Sequence, residues 1–329
     1  MRIAVVHGEV AQDAGQDEKD VLAQVAFVSR GLAEMGHEPV AVAVSPDLGA
    51  ASRQLADIEP ALVFNLTETL CGRGNLIHVV PALLDALGLP YTGAGTEAMF
   101  LTSNKVLAKK WLGAAGLPTP PWFSPSHRCQ ELPVSGPWLV KSVWEHASIG
   151  LDEDSVIPEA TRERLLGRIA QCRDKLGGTW LAEAFIDGRE FNLSLLADEC
   201  GPELLPPAEI RFDAYPPGKV RLVGYRSKWE EGSFEFNHTP RSFDFPEADA
   251  PLLARLRELA FRCWELFDLR GYARIDFRID REGNPWILEV NANPCLSPDA
   301  GFYAAVLQAG LDVRKVLARI VRDAPRPMR

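Results

Sequence analysis

Strand-like and helix-like segments alternate over the first ninety residues, and this alternation restricts the fold more than any other feature of the sequence. Short apolar runs at 3–6, 39–44 and 61–66 predict strands, and apolar residues at helical spacing over 17–35 predict a helix. Strand–helix–strand units place their strands parallel in one sheet with helices on its faces. We therefore expect an N-terminal α/β domain built on a parallel sheet.

The stretch 271–293, GYARIDFRIDREGNPWILEVNAN, is a second constraint. Polar and apolar residues alternate on both sides of a turn-rich centre, which predicts a β-hairpin. With the turn centred on its Glu-Gly dipeptide, Asp276 lies opposite Glu289 and Arg274 lies opposite Asn291, with opposed Cβ atoms roughly 4.5–5.5 Å apart. Two carboxylates at that distance repel unless a cation lies between them, and a hard divalent cation fits oxygen ligands. The alternative is a solvated face of an edge hairpin.

Length and composition limit the protein class. A chain of 329 residues with an apolar fraction of 47 % predicts two or three domains with buried cores. The net charge of −10 and the scattered basic residues argue against a nucleic-acid surface. No apolar run reaches the roughly 18–20 residues of a membrane span, and a strand directly after Met1 leaves no room for a signal peptide. Six cysteines without metal-type or disulfide-type spacing predict free thiols in the cytoplasm.

Five segments of the chain resemble, in order, the successive motifs of the ATP-grasp superfamily, specifically its D-alanine–D-alanine ligase branch. They are LPYTGAG (89–95), NKVLAKKWLGAAGLPTP (104–120), LVKSVWEHASIG (139–150), LAEAFIDGREF (181–191) and GYARIDF…ILEVNANP (271–294). The resemblance runs over nearly the full length. It implies an α/β and α+β protein with a Rossmann-like pre-ATP-grasp domain at 1–92 and a two-lobed ATP-grasp fold. The small lobe would span 93–180 and the large lobe 181–329, with a mobile loop at about 213–243.

The resemblance implies an ATP site built from these motifs. Lysines 105 and 141 would hold the phosphates as compact point charges, the loop 145–150 would cover them, and the segment 183–186 would form the adenine hinge. The residues implied to bind ATP are Lys105, Lys141, Glu145, Ser148, Glu183, Ala184, Phe185, Ile186, Glu190 and Lys228. Glu190 would accept hydrogen bonds from the ribose. Taken alone, the glutamates also fit ordinary strand-end charges, and Lys105 and Lys228 also fit solvated surface lysines.

The resemblance also implies a metal and phosphate end of the site. Asp276, Glu289 and Asn291 resemble the ligands of two Mg²⁺ ions, with Mn²⁺ as an alternative ion. Arg274 would stabilise the γ-phosphate and the developing oxyanion. The residues implied to take part in catalysis are Arg274, Lys228, Ser148 and Asp20. Such a site would transfer the γ-phosphoryl group to a carboxylate and let an amine attack the acyl phosphate.

The match to the family breaks down where the amino acids would bind. Asp20 occupies the position of a glutamate that holds the first D-alanine's ammonium, Trp229 that of a tyrosine, and Cys295 that of a glycine whose amide binds the oxyanion. A serine for the second D-alanine's carboxylate is missing near Ala300 and Gly301. Each lost charge-assisted hydrogen bond costs about 1.5–3 kcal/mol. We therefore expect small-molecule acid and amine substrates other than the D-alanine pair.

Two alternatives stay open at this point. One is a genuine D-alanine–D-alanine ligase with a rearranged pocket, and the other is a nucleotide-binding module without chemistry. The set of motif lysines, arginine and acidic residues argues against the second. The resemblance further implies a homodimer formed through the N-terminal domain, and no nucleic-acid or membrane partner is expected.

Overall fold

The computed structural model describes residues 1–125, 136–145 and 148–325, apart from the side chain of Asp17. Residues 146 and 147 of the predicted phosphate loop lie outside the described residues. The α-helices are α1 (Gln16–Glu34), α2 (Leu48–Ile58), α3 (Val79–Leu87), α4 (Thr96–Ser103), α5 (Lys105–Ala114), α6 (Arg162–Leu176), α7 (Tyr225–Trp229), α8 (Phe234–Asn237), α9 (Ala250–Leu266), α10 (Gly301–Gln308) and α11 (Val313–Asp323). In the part of the chain that is described, no helix is long and apolar enough to cross a membrane.

The strands form three sheets. They are β1 (Arg2–Gly8), β2 (Glu38–Val44), β3 (Leu62–Asn65), β4 (Trp122–Phe123), β5 (Trp138–Ser142), β6 (Val156–Ile157), β7 (Trp180–Ala184), β8 (Arg189–Asp198), β9 (Gly201–Leu204), β10 (Ala208–Ile210), β11 (Arg241–Ser242), β12 (Tyr272–Ile279) and β13 (Pro285–Asn291). The described sheets have the orders β2-β1-β3, β4-β7-β5-β6 and β11-β10-β8-β12-β13, with β9 also paired to β8.

The N-terminal sheet is parallel, as predicted from the alternation of strands and helices. Its central strand β1 is apolar along almost its whole length because both faces are covered. Helices α2 and α3 pack on one face around Leu55, Val63 and Leu84. Helices α1, α10 and α11 pack on the other face and share their core with Leu196 and Tyr272 of the large sheet. This shared core fixes the carboxyl edge of the parallel sheet beside the large sheet.

The two remaining sheets are antiparallel and face a common cleft. In the small sheet, Phe123, Trp138 and Trp180 pack with Leu165 of α6. In the large sheet, β8 and β12 pair over eight residues and are covered by α5 and α9. Together with the parallel sheet, this arrangement confirms the predicted α/β and α+β fold class.

Four elements differ from what the sequence predicts. Helical spacing predicts a helix over 103–115, whereas α5 begins only at Lys105, because Asn104 leaves the helical conformation and caps α5 through the amides of Val106 and Leu107. Apolar spacing predicts one closing helix over 303–321, whereas the structure has α10 and α11, separated at Gly310 with φ +69°. One strand is predicted over 204–212, but the strand conformation is interrupted between β9 and β10. The segment 214–242 is predicted to be irregular, but it contains α7, α8 and β11.

Candidate active site

A cavity of about 530 Å³ lies where the three sheets meet, and all fifteen predicted site residues line it. They come from four of the five motifs of the sequence analysis, from Asp20 on α1 and from Lys228 on α7. The convergence brings together groups that are up to 271 positions apart in the chain, from Asp20 to Asn291. A concave site with several charged groups is the expected form of a ligand site.

A buried cluster of three charges forms one wall of the cavity. The Glu183 carboxylate lies 2.7 Å from Lys109 Nζ and 2.6 Å from Lys141 Nζ, and both Glu183 and Lys109 are only 2 % exposed. Burial opposes ionisation of Glu183, but the two lysines outweigh it and hold its pKa below the usual range. Burial lowers the pKa of Lys109 to about 8 despite Glu183. The Glu183 side chain is therefore held by two lysines of the cavity wall.

The register of the small sheet explains why these charges meet. Lys141 on β5 lies opposite Leu181 of β7, and Leu139 lies opposite Glu183, so Lys141 and Glu183 are diagonal neighbours on one face. Lys109 reaches the pair from α5 and also donates to Thr119 Oγ1 at 2.9 Å. In the sequence analysis Lys109 appears only within the motif 104–120. Its spacing of four from Lys105 puts both lysines on one helix face, and this spacing could have indicated that Lys109 also reaches the site.

Lys105 begins α5 and is buried at the cavity wall. Its Nζ donates to the backbone carbonyl of Glu145 at 2.7 Å, and its own amide donates to Val143 O at 3.0 Å. Burial lowers the pKa of Lys105, and the negative charge of Glu289 opposes that shift. The solvated-surface alternative for Lys105 is therefore wrong. The Glu145 carboxylate accepts from the amide of Gly74 at 3.4 Å, which ties the predicted phosphate loop to the N-terminal part of the chain.

The predicted adenine hinge has most of its amides in use. The Ala184 amide donates to Pro121 O at 2.8 Å and the Phe185 amide donates to Pro137 O at 2.9 Å. Among the described residues, the Ile186 amide has no such acceptor. Hinge recognition of a base edge would therefore depend on Ile186 and on backbone carbonyls.

Glu190 pairs with an arginine that the sequence interpretation missed. Arg278 Nη2 lies 2.7 Å from Glu190 Oε2, and the two residues are direct cross-strand neighbours on β12 and β8. Arg278 is 3 % exposed and also donates to Gly188 O at 3.1 Å. It lies on the same strand face as Arg274 and Asp276, which follows from its spacing in the predicted hairpin. One Glu190 oxygen is thus held by the protein.

The hairpin register predicted from the sequence is confirmed. Asp276 pairs with Glu289 and Arg274 pairs with Asn291, with a bulge directly after Asp276. Strand β12 lies between β8 and β13, and Asp276 is only 9 % exposed, so the alternative of a solvated edge face is wrong. Asn192 of β8, opposite Asp276 on the other side, donates to Asp276 Oδ1 at 2.8 Å.

Arg274 holds Asp276 through two parallel hydrogen bonds of 2.8 Å each. Burial disfavours the Arg274 charge, but Asp276 and then Glu289 outweigh burial and raise its pKa above the usual value. A bidentate pair of this kind is strong and geometrically defined. In a nucleotide complex, phosphate groups would compete for the Arg274 guanidinium, and a metal ion would compete for the Asp276 carboxylate.

The oxygen donors at the hairpin end of the cavity fit Mg²⁺. It offers the carboxylates of Asp276 and Glu289 and the amide oxygen of Asn291, all hard oxygen donors. Within 1–125, 136–145 and 148–325, no group of three or more His, Cys, Asp or Glu gathers that could hold a metal ion. Magnesium in nucleotide sites takes only one or two carboxylates and completes its shell with phosphate oxygens and water. This small donor set is therefore what a metal–nucleotide complex needs.

Two segments meet over the cavity. Ser148, at φ +60°, donates through Oγ to Val223 O at 3.2 Å, and the Tyr225 amide donates to Leu151 O at 3.0 Å. Lys228 on α7 is half-buried and lines the cavity. Partial desolvation lowers its pKa, and the nearby charge of Arg274 lowers it further. The described part of the predicted phosphate loop is thus joined to the predicted mobile loop. Lys228 therefore faces the cavity while part of its side chain remains exposed to solvent.

The opposite end of the cavity is acidic. Asp20 accepts hydrogen bonds from Cys295 Sγ and Ser297 Oγ, both at 3.0 Å. Gln24, one helical turn after Asp20, donates to Glu68 at 2.5 Å. Burial and the charges of Glu68 and Asp20 raise the pKa of the Cys295 thiol. The thiol is therefore a protonated donor and not a nucleophile.

Glu68 and Ser297 were missed by the sequence interpretation. Glu68 follows β3 at the carboxyl edge of the parallel sheet, where α/β proteins bind their ligands, so its position was a usable signal. Ser297 is brought to Asp20 only by the course of the chain after β13, and no local pattern indicates it.

Comparison with solved structures identifies the fold. The structure of the D-alanine–D-alanine ligase from Bacillus anthracis complexed with ATP superimposes with a TM-score of 0.74 at 19 % identity, covering 98 % of this chain and 97 % of that chain. The fold and the site together define an ATP-binding ligase of the ATP-grasp type.

Sequence comparisons identify the family. The family model described as D-ala D-ala ligase C-terminus matches residues 116–322. The chain is 28 % identical over 299 residues to the D-alanine–D-alanine ligase of Aquifex aeolicus, covering 89 % of this chain and 92 % of the relative. It is 29 % identical over 309 residues to the uncharacterized protein y4sG of Sinorhizobium fredii, covering 91 % and 86 %. The chain belongs to the D-alanine–D-alanine ligase family, so the alternative of a nucleotide-binding module without chemistry is wrong.

Proposed function

We propose that this protein uses ATP to activate a small carboxylate as an acyl phosphate and joins it to the amine of a second small molecule. The observation that carries the proposal is the convergence of Lys105, Lys141, Lys228 and Arg274 on one cavity that also holds the opposed carboxylates of Asp276 and Glu289. Cations that neutralise a triphosphate and oxygens that hold its metal are the parts that phosphoryl transfer needs.

The nucleotide would lie between the small and large sheets. Its phosphates would meet Lys105 and Lys141, and its base would lie against the hinge at 184–186. Lys141 Nζ lies 2.6 Å from the Glu183 carboxylate in the buried wall, so the phosphates would bind beside a lysine whose position is fixed. Glu190, one of whose oxygens is held by Arg278, would present the other oxygen to the ribose.

Asp276, Glu289 and Asn291 would hold two Mg²⁺ ions, which would supply neutralisation of the charge that develops during phosphoryl transfer. Arg274 would exchange its contact with Asp276 for the transferring phosphoryl group, since a guanidinium donates equally well to phosphate and carboxylate. The substrate carboxylate oxygen attacks the γ-phosphorus, ADP leaves, and the mixed anhydride remains in the cavity. The amine nitrogen then attacks the carbonyl carbon, loses a proton and expels phosphate.

Water must be kept from the acyl phosphate. The contacts of Ser148 with Val223 and of Tyr225 with Leu151 join two segments above the cavity, and Lys228 projects from the second segment into it. Closing the site in this way excludes water and strengthens the interactions of Lys228 with a phosphate.

The substrate pair is proposed to differ from two D-alanines. Asp20, a residue one methylene shorter than glutamate, is held by Cys295 and Ser297, and Trp229 lines the cavity without a hydroxyl group. Ala300 stands at the start of α10 and provides no side-chain cap. These replacements change the polar groups that an amino-acid pair would contact.

A second candidate is a genuine D-alanine–D-alanine ligase with this rearranged pocket, favoured by curated relatives of that name at 27–29 % identity. Incubation with ATP, Mg²⁺ and single or paired amino acids, scored for phosphate release and for the product mass, separates the candidates. We expect faster turnover with another pair than with D-alanine alone. Rapid formation of D-alanyl-D-alanine, matched by no other pair, would contradict the first candidate and support the second.

A further inference from the structure

Arg278 is a buried arginine at the point where the predicted adenine hinge, the proposed ribose carboxylate and the predicted mobile loop meet. It lies on β12 and lines the cavity. Its Nη2 lies 2.7 Å from Glu190 Oε2, and its Nη1 donates to Gly188 O at 3.1 Å and to Ile186 O at 3.4 Å. Nη2 also donates to the backbone carbonyl of Arg221 at 2.5 Å. One guanidinium group therefore contacts three parts of the site.

Two aromatic rings enclose this guanidinium group. The Arg278 Cζ atom lies 5.7 Å from the ring centre of Phe185 in the hinge and 5.3 Å from that of Phe212, directly before the mobile loop. A cation within about 6 Å of a ring centre is attracted to the ring, most strongly where water is excluded. Arginine also presents its donors in a rigid planar fork, so fixing the group fixes the directions of its hydrogen bonds. The groups that Arg278 binds are therefore held relative to one another.

The part of the mobile loop at the cavity, residues 221–225, is held on two sides. On the hinge side, Arg278 binds the carbonyl of Arg221. On the side of the predicted phosphate loop, the chains approach so closely that a β-carbon on Gly224 would lie 2.6 Å from Leu151 O. The second contact alone would leave the hinge end of this segment unrestrained. The position of the loop over the cavity thus depends on Arg278 as well.

We propose that Arg278 is a positioning residue that sets both the ribose-binding carboxylate and the closed position of the mobile loop. The inference rests on the proposed ligase function and adds a residue to its machinery. Arg278 holds one oxygen of Glu190, so that the other is directed to the ribose hydroxyls. It also holds the Arg221 carbonyl, so that the loop excludes water from the acyl phosphate. Loss of one side chain should therefore impair nucleotide selection and water exclusion together.

The first test replaces Arg278 by Met, which removes the donors and keeps an unbranched side chain. Kinetics with ATP, 2′-deoxyATP and 3′-deoxyATP measure selection of the ribose, and phosphate released per amide product measures water exclusion. We expect the wild type to prefer ATP about tenfold to a hundredfold in kcat/KM over at least one deoxynucleotide, and Arg278→Met to reduce this preference below about threefold. Phosphate per product should rise from about one to more than about three, because water replaces the amine, regenerates the acid and releases phosphate.

Two further variants keep the test decisive if Arg278→Met does not fold. That substitution leaves the buried Glu190 carboxylate without its counter-charge, which is destabilising. The double variant Arg278→Met with Glu190→Gln removes both charges and should show the same increase in phosphate per product. Glu190→Gln alone should abolish the preference for ATP, but it leaves Arg278 on the Arg221 carbonyl. Its phosphate per product should therefore stay within about twofold of the wild type.

The matched control is Arg281→Met, which removes an arginine from the same hairpin. Arg281 is exposed, pairs with Asp187 beside the hinge and, among the described residues, does not line the cavity. Both the preference for ATP and the phosphate per product should stay within about twofold of the wild type. Wild-type values of both quantities in Arg278→Met, or of phosphate per product in the double variant, would overturn the inference and leave the ligase function intact.

Hydrogen exchange tests the loop without turnover. With Mg²⁺ and the non-hydrolysable analogue AMP-PNP at equal occupancy, amides of 221–225 should exchange at least about fivefold faster in the double variant than in Glu190→Gln. Equal exchange rates would contradict a role of Arg278 in holding the loop. Absence of wild-type turnover with every acid and amine pair would overturn the proposed function itself, and the exchange rates would then still decide whether Arg278 positions the loop.

Discussion

The two ends of the cavity distribute their charges in opposite ways. At the nucleotide end, buried charges are already matched inside the protein, as in the sets Lys109–Glu183–Lys141 and Arg278–Glu190. At the substrate end, Asp20 accepts hydrogen bonds from Cys295 and Ser297, and Glu68 accepts one from Gln24. Matched charges give a rigid wall that does not depend on the ligand. Carboxylates held by neutral donors would favour a cationic group of a substrate, in keeping with the proposed function.

The difference also concerns what holds each side chain. The nucleotide end is built on paired strands, so the register of β8, β12 and β13 fixes Glu190, Asp276 and Glu289 relative to one another. The substrate end is assembled from a helix, the residues after β3 and the residues after β13. Strand positions tolerate few replacements, whereas such connecting segments accept them more easily. This division would allow the substrate to change without loss of the ATP chemistry, as the proposed function requires.

The largest effect is expected from substitution of Asp276 or Glu289, the two carboxylates proposed to bind metal at the nucleotide end. We expect Asp276→Asn or Glu289→Gln to lower ATP-dependent phosphate release at least about a thousandfold, because charge stabilisation of phosphoryl transfer is lost. Glu289→Gln should change the free energy of unfolding little, because it keeps the shape of the side chain. Asp276→Asn also deprives Arg274 of its bidentate partner, so we expect it to lower the free energy of unfolding by up to about 3–5 kcal/mol. Steady-state kinetics at varied Mg²⁺ and urea unfolding measure the two effects.

Glu282→Gln is the matched control for these variants. Glu282 lies exposed in the turn of the same hairpin, so we expect activity within twofold of the wild type. Full activity of either carboxylate variant would show that the metal site has been assigned to the wrong residues.

The nucleotide end was also the part that could be predicted from the sequence. Strand alternation sufficed to pair Asp276 with Glu289, because a hairpin brings together residues that are close in the chain. The partners Lys109 of Glu183 and Arg278 of Glu190 depend on packing between distant elements, so the motifs contained them without revealing the contact. Glu68 and Arg241 escaped notice because only the tertiary fold brings them to the cavity. The single helix predicted over 303–321 has a different, local cause: the apolar spacing continues past Gly310, which adopts φ +69° and ends α10.

A second prediction concerns the matched charges themselves. Glu183→Gln leaves Lys109 and Lys141 buried beside each other without a counter-charge, and Lys109 is only 2 % exposed. Removing one partner of a buried ion cluster costs about 3–5 kcal/mol, and we expect the free energy of unfolding to fall by that amount. Urea unfolding followed by circular dichroism measures it.

The control for this variant is Glu258→Gln, which breaks the exposed pair with Arg255. Exposed pairs contribute about 0–1 kcal/mol, so the control should unfold nearly as the wild type does. A loss below about 1 kcal/mol for Glu183→Gln would show that the wall of the nucleotide end does not depend on matched charges.

The smallest expected effect tests the electrostatics of the substrate end. Burial, Glu68 and Asp20 raise the pKa of the Cys295 thiol, so its thiolate is scarce at pH 8. We expect iodoacetamide to modify the exposed Cys71 and Cys200 fully before Cys295 reacts, as read by peptide mass mapping. Reactivity of Cys295 should rise only at pH values above those at which the exposed thiols already react. Asp20→Asn removes one of the two carboxylate charges and should speed its alkylation modestly, whereas equal rates for all three cysteines would contradict an acidic substrate end.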